Sequence, residues 1–367
     1  MTAIFRFALI LSAMFAALPI PAFAQEVKWH DAASFEIEGR GWTQTEGIYD
    51  RLPDSAKSKV SQQVWGLSKN NAGVCIRFVT DAAVVNARWS VTSDTLGMPH
   101  MPATGVSGID LYARADDGKW LFVGNGRPHH QDNNHAAFTF RGGAKAGREC
   151  LLYLPAYNGI KSLEIAVAPG AHLEKPQPRP EELRKPIVVY GTSIAQGGCA
   201  SRPGMVWTSI LGRMLDRPVI NLGFSGSGTM EHPVGEVLAE IDAAAFVIDC
   251  IWNISDDPAI YQERVRKLVH AIRQRHPDVP ILFVGQSEIH PESHPTKSTQ
   301  GQEAAVHALQ AEGIKGLSTF PGTDLVGDDG EGTVDGVHLT DLGMLRQAQA
   351  LFPIVQETVQ GNSGKGK

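Results

Sequence analysis

Cysteine is scarce in this chain, with four among 367 residues: Cys75, Cys150, Cys199 and Cys250. None forms a C-x-x-C pair, which argues against structural zinc, and a chain of this length buries a core that needs no disulfide framework. The pattern allows a Cys75–Cys150 bridge, but Cys75 and Cys250 sit in apolar runs that suit free buried thiols equally well. A basic block is also missing. The formal net charge is −6, so neither nucleic acid nor an anionic membrane surface is an expected partner. Beyond residue 24 no apolar run approaches the ~20 residues that a spanning helix requires.

The first residues do carry an apolar run. In MTAIFRFALILSAMFAALPIPAFA, Arg6 precedes an apolar stretch that ends in Ala22-Phe23-Ala24. Such a segment reads as a secretory signal peptide over residues 1–24, removed before Gln25. Its loss takes Arg6 with it and leaves a net charge of −7. The mature chain is expected in the periplasm or outside the cell, without membrane insertion, and its length suggests about two domains.

Two rhythms follow. Residues 25–172 read as an all-β domain. VCIRFVT (74–80) alternates like a strand with one buried face, and Asp117-Gly118 and Asn158-Gly159 are hairpin dipeptides between apolar runs. Many short strands with tight turns predict a β-sandwich of jelly-roll type. Residues 173–186 are rich in proline and charge and read as a stiff, exposed connector. After it, PIVVYG (186–191), PVINLG (218–223), AFVIDCI (245–251) and PILFVG (280–285) are apolar at nearly every position, as strands buried on both faces of a parallel sheet are. Helical periodicity between them, clearest over 258–276, predicts a doubly wound α/β domain over 187–360. Residues 361–367 read as a disordered tail.

In such sheets ligands bind beyond the carboxyl ends of the strands. The first run ends in Gly191-Thr192-Ser193-Ile194, with Ser193 where strand gives way to helix. The second ends at Gly223 and the third just before Asn253; each residue alone is commonplace as a cap, a loop glycine or a turn former. VDGVHLTDLG (334–343) adds Asp335 and His338 one turn apart, ahead of the last helix. Ser225, in Gly223-Phe224-Ser225-Gly226-Ser227, lacks the final glycine of a G-x-S-x-G elbow and is set aside.

Serine, glycine, asparagine and D-x-x-H, in this order at successive strand ends, resemble the SGNH (GDSL-like) hydrolases. SGIDLYAR (107–114) and YLPAYNGIKSLEI (153–165) resemble the β-rich G-x-D-L-Y domain that precedes one branch of secreted bacterial esterases, many acting on acylated carbohydrates. The resemblance implies a three-layer flavodoxin-like hydrolase domain. It implies Ser193 as nucleophile, His338 as general base, Asp335 as its orienting carboxylate, and the Ser193 N–H, Gly223 N–H and Asn253 amide as oxyanion hole. Threonine stands at 192 where the family's G-D-S-L motif has aspartate.

The expected activity is hydrolysis of acyl esters, acetyl above all, on a carbohydrate. A lipid or thioester acylhydrolase, an acyltransferase and a non-catalytic polysaccharide-binding protein are the alternatives. Trp252, His129 and His130 are candidate substrate contacts. No metal or other cofactor is called for: prolines follow both histidines of EIHPESHP (288–295), and GTDLVGDDGEG (322–332) lacks calcium-loop spacing. Five of seven tryptophans (Trp29, Trp42, Trp65, Trp89, Trp120) fall in the β domain, where core packing is the expected role for most.

Overall fold

A computed structural model describes residues 27–288, 290 and 293–363 of the chain, so the leader expected at 1–24 lies outside the described residues. Among them, the first half contains strands β1 (Trp29–Asp31), β2 (Glu36–Glu38), β3 (Cys75–Thr80), β4 (Val84–Val91), β5 (Ile109–Arg114), β6 (Trp120–Gly126), β7 (Asn134–Thr139), β8 (Arg148–Tyr153), β9 (Ile160–Val167) and β10 (Leu173–Glu174). Short helices α1 (Gln62–Leu67) and α2 (Ala103–Val106) interrupt them. The strands form two antiparallel sheets, ordered β1-β9-β4-β7 and β10-β3-β8-β5-β6, with β2 added on β3. Alternate residues of both sheets, among them Ile76, Phe78, Val85, Trp89, Leu111, Phe138 and Ile165, fill the space between them. This is the expected sandwich.

Two local readings need correction. Asp117-Gly118 does close the β5–β6 hairpin, with Gly118 at φ +84°. Asn158-Gly159 does not close one, because β8 pairs with β3 and β5 whereas β9 pairs with β1 and β4 in the opposite sheet. The buried Asn158 amide instead pins a crossing between sheets, accepting from the Ser93 and Gly159 N–H groups and donating to Ser93 O and Ser107 Oγ. Nor does β3 have a single buried face. Cys75 joins Tyr112, Leu151 and Tyr153 in a second buried cluster on its far side, where the Arg213 guanidinium covers the Tyr112 ring. All four cysteines are free and buried. Cys75 stands opposite Tyr153 and Cys150 opposite Phe78, on different sides of the sheet.

The second half opens with α3 (Glu181–Arg184) and holds a parallel sheet of β11 (Ile187–Gly191), β12 (Val219–Gly223), β13 (Ala245–Asp249), β14 (Ile281–Val284) and β15 (Leu317–Phe320). Its order, β12-β11-β13-β14-β15, is the flavodoxin-like one. Of its helices α4 (Ser193–Gln196), α5 (Trp207–Leu215), α6 (His232–Leu238), α7 (Pro258–Arg273), α8 (Lys297–Ala311) and α9 (Asp341–Ser363), α6–α8 cover one sheet face and α5 and α9 the other. The three layers follow from strands whose every side chain is buried in β11, β12 and β13. Helix α9 runs through Ser363, three residues into the segment read as a disordered tail.

The halves are not loosely tethered. Leu52, Ala56, Val60 and Val64 of the first half lie in the same apolar cluster as Ile220, Leu222 and Phe246 of the parallel sheet. The connector is largely exposed, as its prolines and charges lead one to expect, but it is anchored at two points. Leu173–Glu174 pairs with β3, and the Arg179 side chain is 8% exposed. Arg179 closes a ring of alternating charge that runs Glu38–Arg77–Glu149–Arg114–Asp216–Arg179 and returns to Glu38. Without Arg179 the buried Glu38 carboxylate keeps only Arg77, a loss that typically costs about 2 kcal/mol. Arg179→Met should therefore lower the unfolding free energy read from denaturant titration by about that amount, whereas Lys119→Met, at an exposed pair, should leave it unchanged.

Candidate active site

Helix α4 is a single turn set at the carboxyl end of β11. The Thr192 hydroxyl caps it, accepting from the Ile194 N–H. Ser193 is therefore not the cap but the first helical residue, and its own N–H has no intrahelical acceptor. Its side chain is 7% exposed, and its Oγ lies 2.9 Å from His338 Nε2.

His338 and Asp335 sit on a tight turn held by mutual pairing of Thr333 with Leu339, with Gly336 at φ +89° at its bend. His338 Nδ1 is 2.8 Å from Asp335 Oδ2, while Asp335 Oδ1 accepts from the Val337 and His338 N–H groups. Partial burial pushes the Asp335 carboxyl up, but the His338 ring and these two N–H groups outweigh it and hold the pKa at about 2. The carboxylate is thus ionised at neutral pH. Bonded to Nδ1–H, it selects the tautomer whose Nε2 can accept a proton from Ser193. The turn is followed by α9, capped by Thr340 Oγ1 on the Gly343 N–H, and Asp341 reaches across to the Ser201 N–H and hydroxyl.

Expected oxyanion donors fare differently. Asn253 ends a short turn after β13, and its Oδ1 accepts from the Gly228 N–H at 3.2 Å, which leaves the amide NH₂ to donate elsewhere. The Gly223 N–H is not free: it donates to Asn221 Oδ1 at 2.9 Å. Glycine is required at 223 for another reason. A Cβ there would come within 2.1 Å of the Gln196 N atom on α4. Three residues on, Gly226 has φ +68°, is exposed, and has no acceptor for its N–H among the described residues. Nothing in the sequence separates Gly226 from Gly223 without the strand's exact end.

The remaining candidates are partly placed. Trp252, beside Asn253, donates from Nε1 to Ser287 Oγ at 3.0 Å and packs on the cluster under α5 and α9. His129 and His130 are exposed and donate their backbone N–H groups to Asn134 Oδ1, with no bond to the Ser–His–Asp line. The histidine that does approach is His100, on the loop after β4, whose ring centroid lies 6.0 Å from that of His338. Tyr157, from the loop between β8 and β9, donates to the Ser193 carbonyl oxygen at 3.1 Å. Three of the β-domain tryptophans have a ring face covered by a cation, Trp29 by Arg88, Trp65 by Lys69 and Trp120 by Arg114, and Trp89 is buried, so these rings are not open platforms.

The arrangement can supply a nucleophile, a base for it and N–H donors for an anion. Comparison with known proteins gives the family of the chain. Residues 184–356 match the GDSL-like lipase/acylhydrolase family, and residues 27–173 match the N-terminal domain of SGNH-hydrolase-type esterases. A GDSL-like lipase of Bacteroides ovatus is similar over 91% of this chain and 98% of its own, at 34% identity and a TM-score of 0.82. The chain belongs to the GDSL-like, or SGNH, hydrolase family. At the level of fold alone it is also similar to a salicylyl-acyltransferase from a tetracycline biosynthetic pathway (16% identity, TM-score 0.71, 94% and 99% of the two chains). A family two carbohydrate esterase of Cellvibrio japonicus is similar in the same sense (11%, 0.57, 91% and 98%). No curated protein matches the chain.

One buried carboxyl lies next to this machinery. Asp249, at the end of β13, is wholly buried with Gln347 Nε2 as its donor, and burial pushes its pKa up to about 7. The folded chain thus keeps a proton that the unfolded chain releases near 3.8. Folding stability should fall as pH rises between those values. Asp249→Asn should flatten that slope in denaturant titrations at pH 4.5, 6 and 7.5, and an unchanged slope would refute the assignment.

Proposed function

We propose that the mature chain is an exported serine esterase that hydrolyses acyl esters, acetyl esters in particular, on a carbohydrate. The observation that carries the chemistry is the continuous line Asp335–His338–Ser193, with 2.8 Å and 2.9 Å links and the serine at a helix N-terminus. Ser193 Oγ attacks the ester carbonyl as His338 Nε2 takes its proton. The tetrahedral oxyanion is held by the Ser193 N–H, the Asn253 amide and, in place of the Gly223 N–H, the N–H of Gly226. His338 then protonates the leaving alcohol, and water, activated by the same nitrogen, releases the acid from the acyl-enzyme.

Trp252, next to Asn253 in sequence and fixed by its bond to Ser287 Oγ, is the residue we assign to the acyl side. His100, from the β domain, has its ring 6.0 Å from that of His338, the group that would protonate the leaving alcohol. Support for a carbohydrate comes from the resemblance of the whole two-part chain to family two carbohydrate esterases. Export rests on the leader read at 1–24. Among the described residues no helix is long and apolar enough to cross a membrane.

Hydrolysis of p-nitrophenyl esters from acetate to octanoate tests this. Activity should be confined to the shortest chains and should vanish in Ser193→Ala and His338→Ala. Asn253→Ala should retain a residue of activity, since loss of one oxyanion donor costs on the order of 3 kcal/mol, or about a hundredfold. A fully active Ser193→Ala overturns the proposal, and activity rising with chain length replaces acetyl with a lipid-like acyl group.

A further inference from the structure

Arg51 belongs to the β domain, yet it is 0% exposed and its guanidinium lies at the end of a strand of the other domain. Its Nη1 donates to Asn221 O at 3.0 Å and to Gly223 O at 2.8 Å, Nε to Asn70 O, and Nη2 to Leu67 O. Every acceptor is a backbone carbonyl. The neighbouring Asp50 carboxylate is engaged by the Gly47 N–H and by Lys69, and the Phe224 ring lies against the cation at 5.1 Å. A cation buried without a counterion is costly, so what it holds in place here is worth asking.

From the structure we infer that Arg51 is a positioning residue for the oxyanion side of the active site. The path is short and directional. Arg51 Nη1 bonds the carbonyl of the Gly223–Phe224 peptide, and the N–H of that same peptide donates to Gly191 O, two residues before Ser193. The guanidinium polarises this peptide and fixes the tilt of the turn that runs through Ser225 and Gly226. A second tie holds the turn from the other side. Gln196 of α4 accepts from the Ser225 N–H through Oε1 while its amide donates to Asn70 Oδ1 and Ala156 O, and Asn70 is itself an Arg51 partner. The β domain thereby sets the distance between the nucleophile turn and the oxyanion turn. The inference rests on Ser193 being the nucleophile and acts without Arg51 touching substrate.

The test compares full-length wild type, Ser193→Ala, Arg51→Lys and Arg51→Met on p-nitrophenyl acetate, together with inhibition by phenylboronate, whose serine adduct is a tetrahedral anion. Arg51→Lys keeps the charge and part of the bonding, which protects folding should Arg51→Met fail to fold. The expected result is a kcat lowered about tenfold to a hundredfold with KM within about threefold, and phenylboronate affinity weakened by a similar factor. Arg51→Lys should lie between wild type and Arg51→Met. A merely structural arginine would lower the melting temperature and leave kcat and phenylboronate affinity of the folded fraction unchanged, which would overturn the inference. An active Ser193→Ala would instead overturn the nucleophile on which it rests.

Discussion

The constraint on which the site depends is how closely the single-turn helix carrying Ser193 sits against the strand ends. A Cβ at Gly191 would come within 2.5 Å of Ala195 Cβ, one at Gly223 within 2.1 Å of the Gln196 N atom, and one at Gly228 within 2.1 Å of Gly191 O. None of these clashes is with a flexible side chain that could move aside. Glycine at all three places lets backbone meet backbone, which brings the Ser193 turn, the 223–228 turn and the Asn253 turn to one edge of the sheet. Gly223 thus matters for what it lacks, a side chain, and its N–H is spent on Asn221. The adjoining turn, where Gly226 takes φ +68°, is left exposed.

That closeness also explains why the β domain is more than an appendage. Backbone packed so tightly must have its polar groups satisfied from outside the turn. Arg51, Asn70, Ala156 and Tyr157 supply the partners, and all four come from the first half of the chain. The shared apolar cluster and the closed ring from Glu38 to Arg179 hold those partners in register. The two regions of contact divide the work: apolar burial and the ion ring hold the halves together, and the carbonyl-bound arginine and amides shape the site.

How much of this could be read beforehand follows from the range of each signal. The parallel strands were legible because burial on both faces leaves mostly apolar residues, and Leu317–Phe320 escaped because only its first residue is buried and it keeps Ser318 and Thr319. The Asp335–His338 pair was legible because its spacing is local and its bonds close within four residues. Asn158-Gly159 misled because a dipeptide reports a turn and cannot report which sheets its flanks join. Arg51 was invisible for the same reason carried further: its acceptors at Asn221 and Gly223 lie 170 and 172 residues away. Nothing local marks an arginine destined for burial, and composition alone argues for exposure.

The exposure pattern bears on whether the acyl group goes to water or to another acceptor. An acyltransferase must keep water from the acyl-enzyme until its acceptor arrives. Here the Asp335 and His338 side chains are 43% and 25% exposed, on a turn at the surface, and the neighbouring His100 is exposed as well. In the proposed acyl-enzyme on Ser193, His338 Nε2 would lose its hydroxyl partner while its ring stays partly exposed. Water is then the acceptor at highest concentration beside a competent base. A surface-borne Asp–His pair over a buried serine is therefore open to water, which fits the proposed hydrolysis better than transfer to another acceptor.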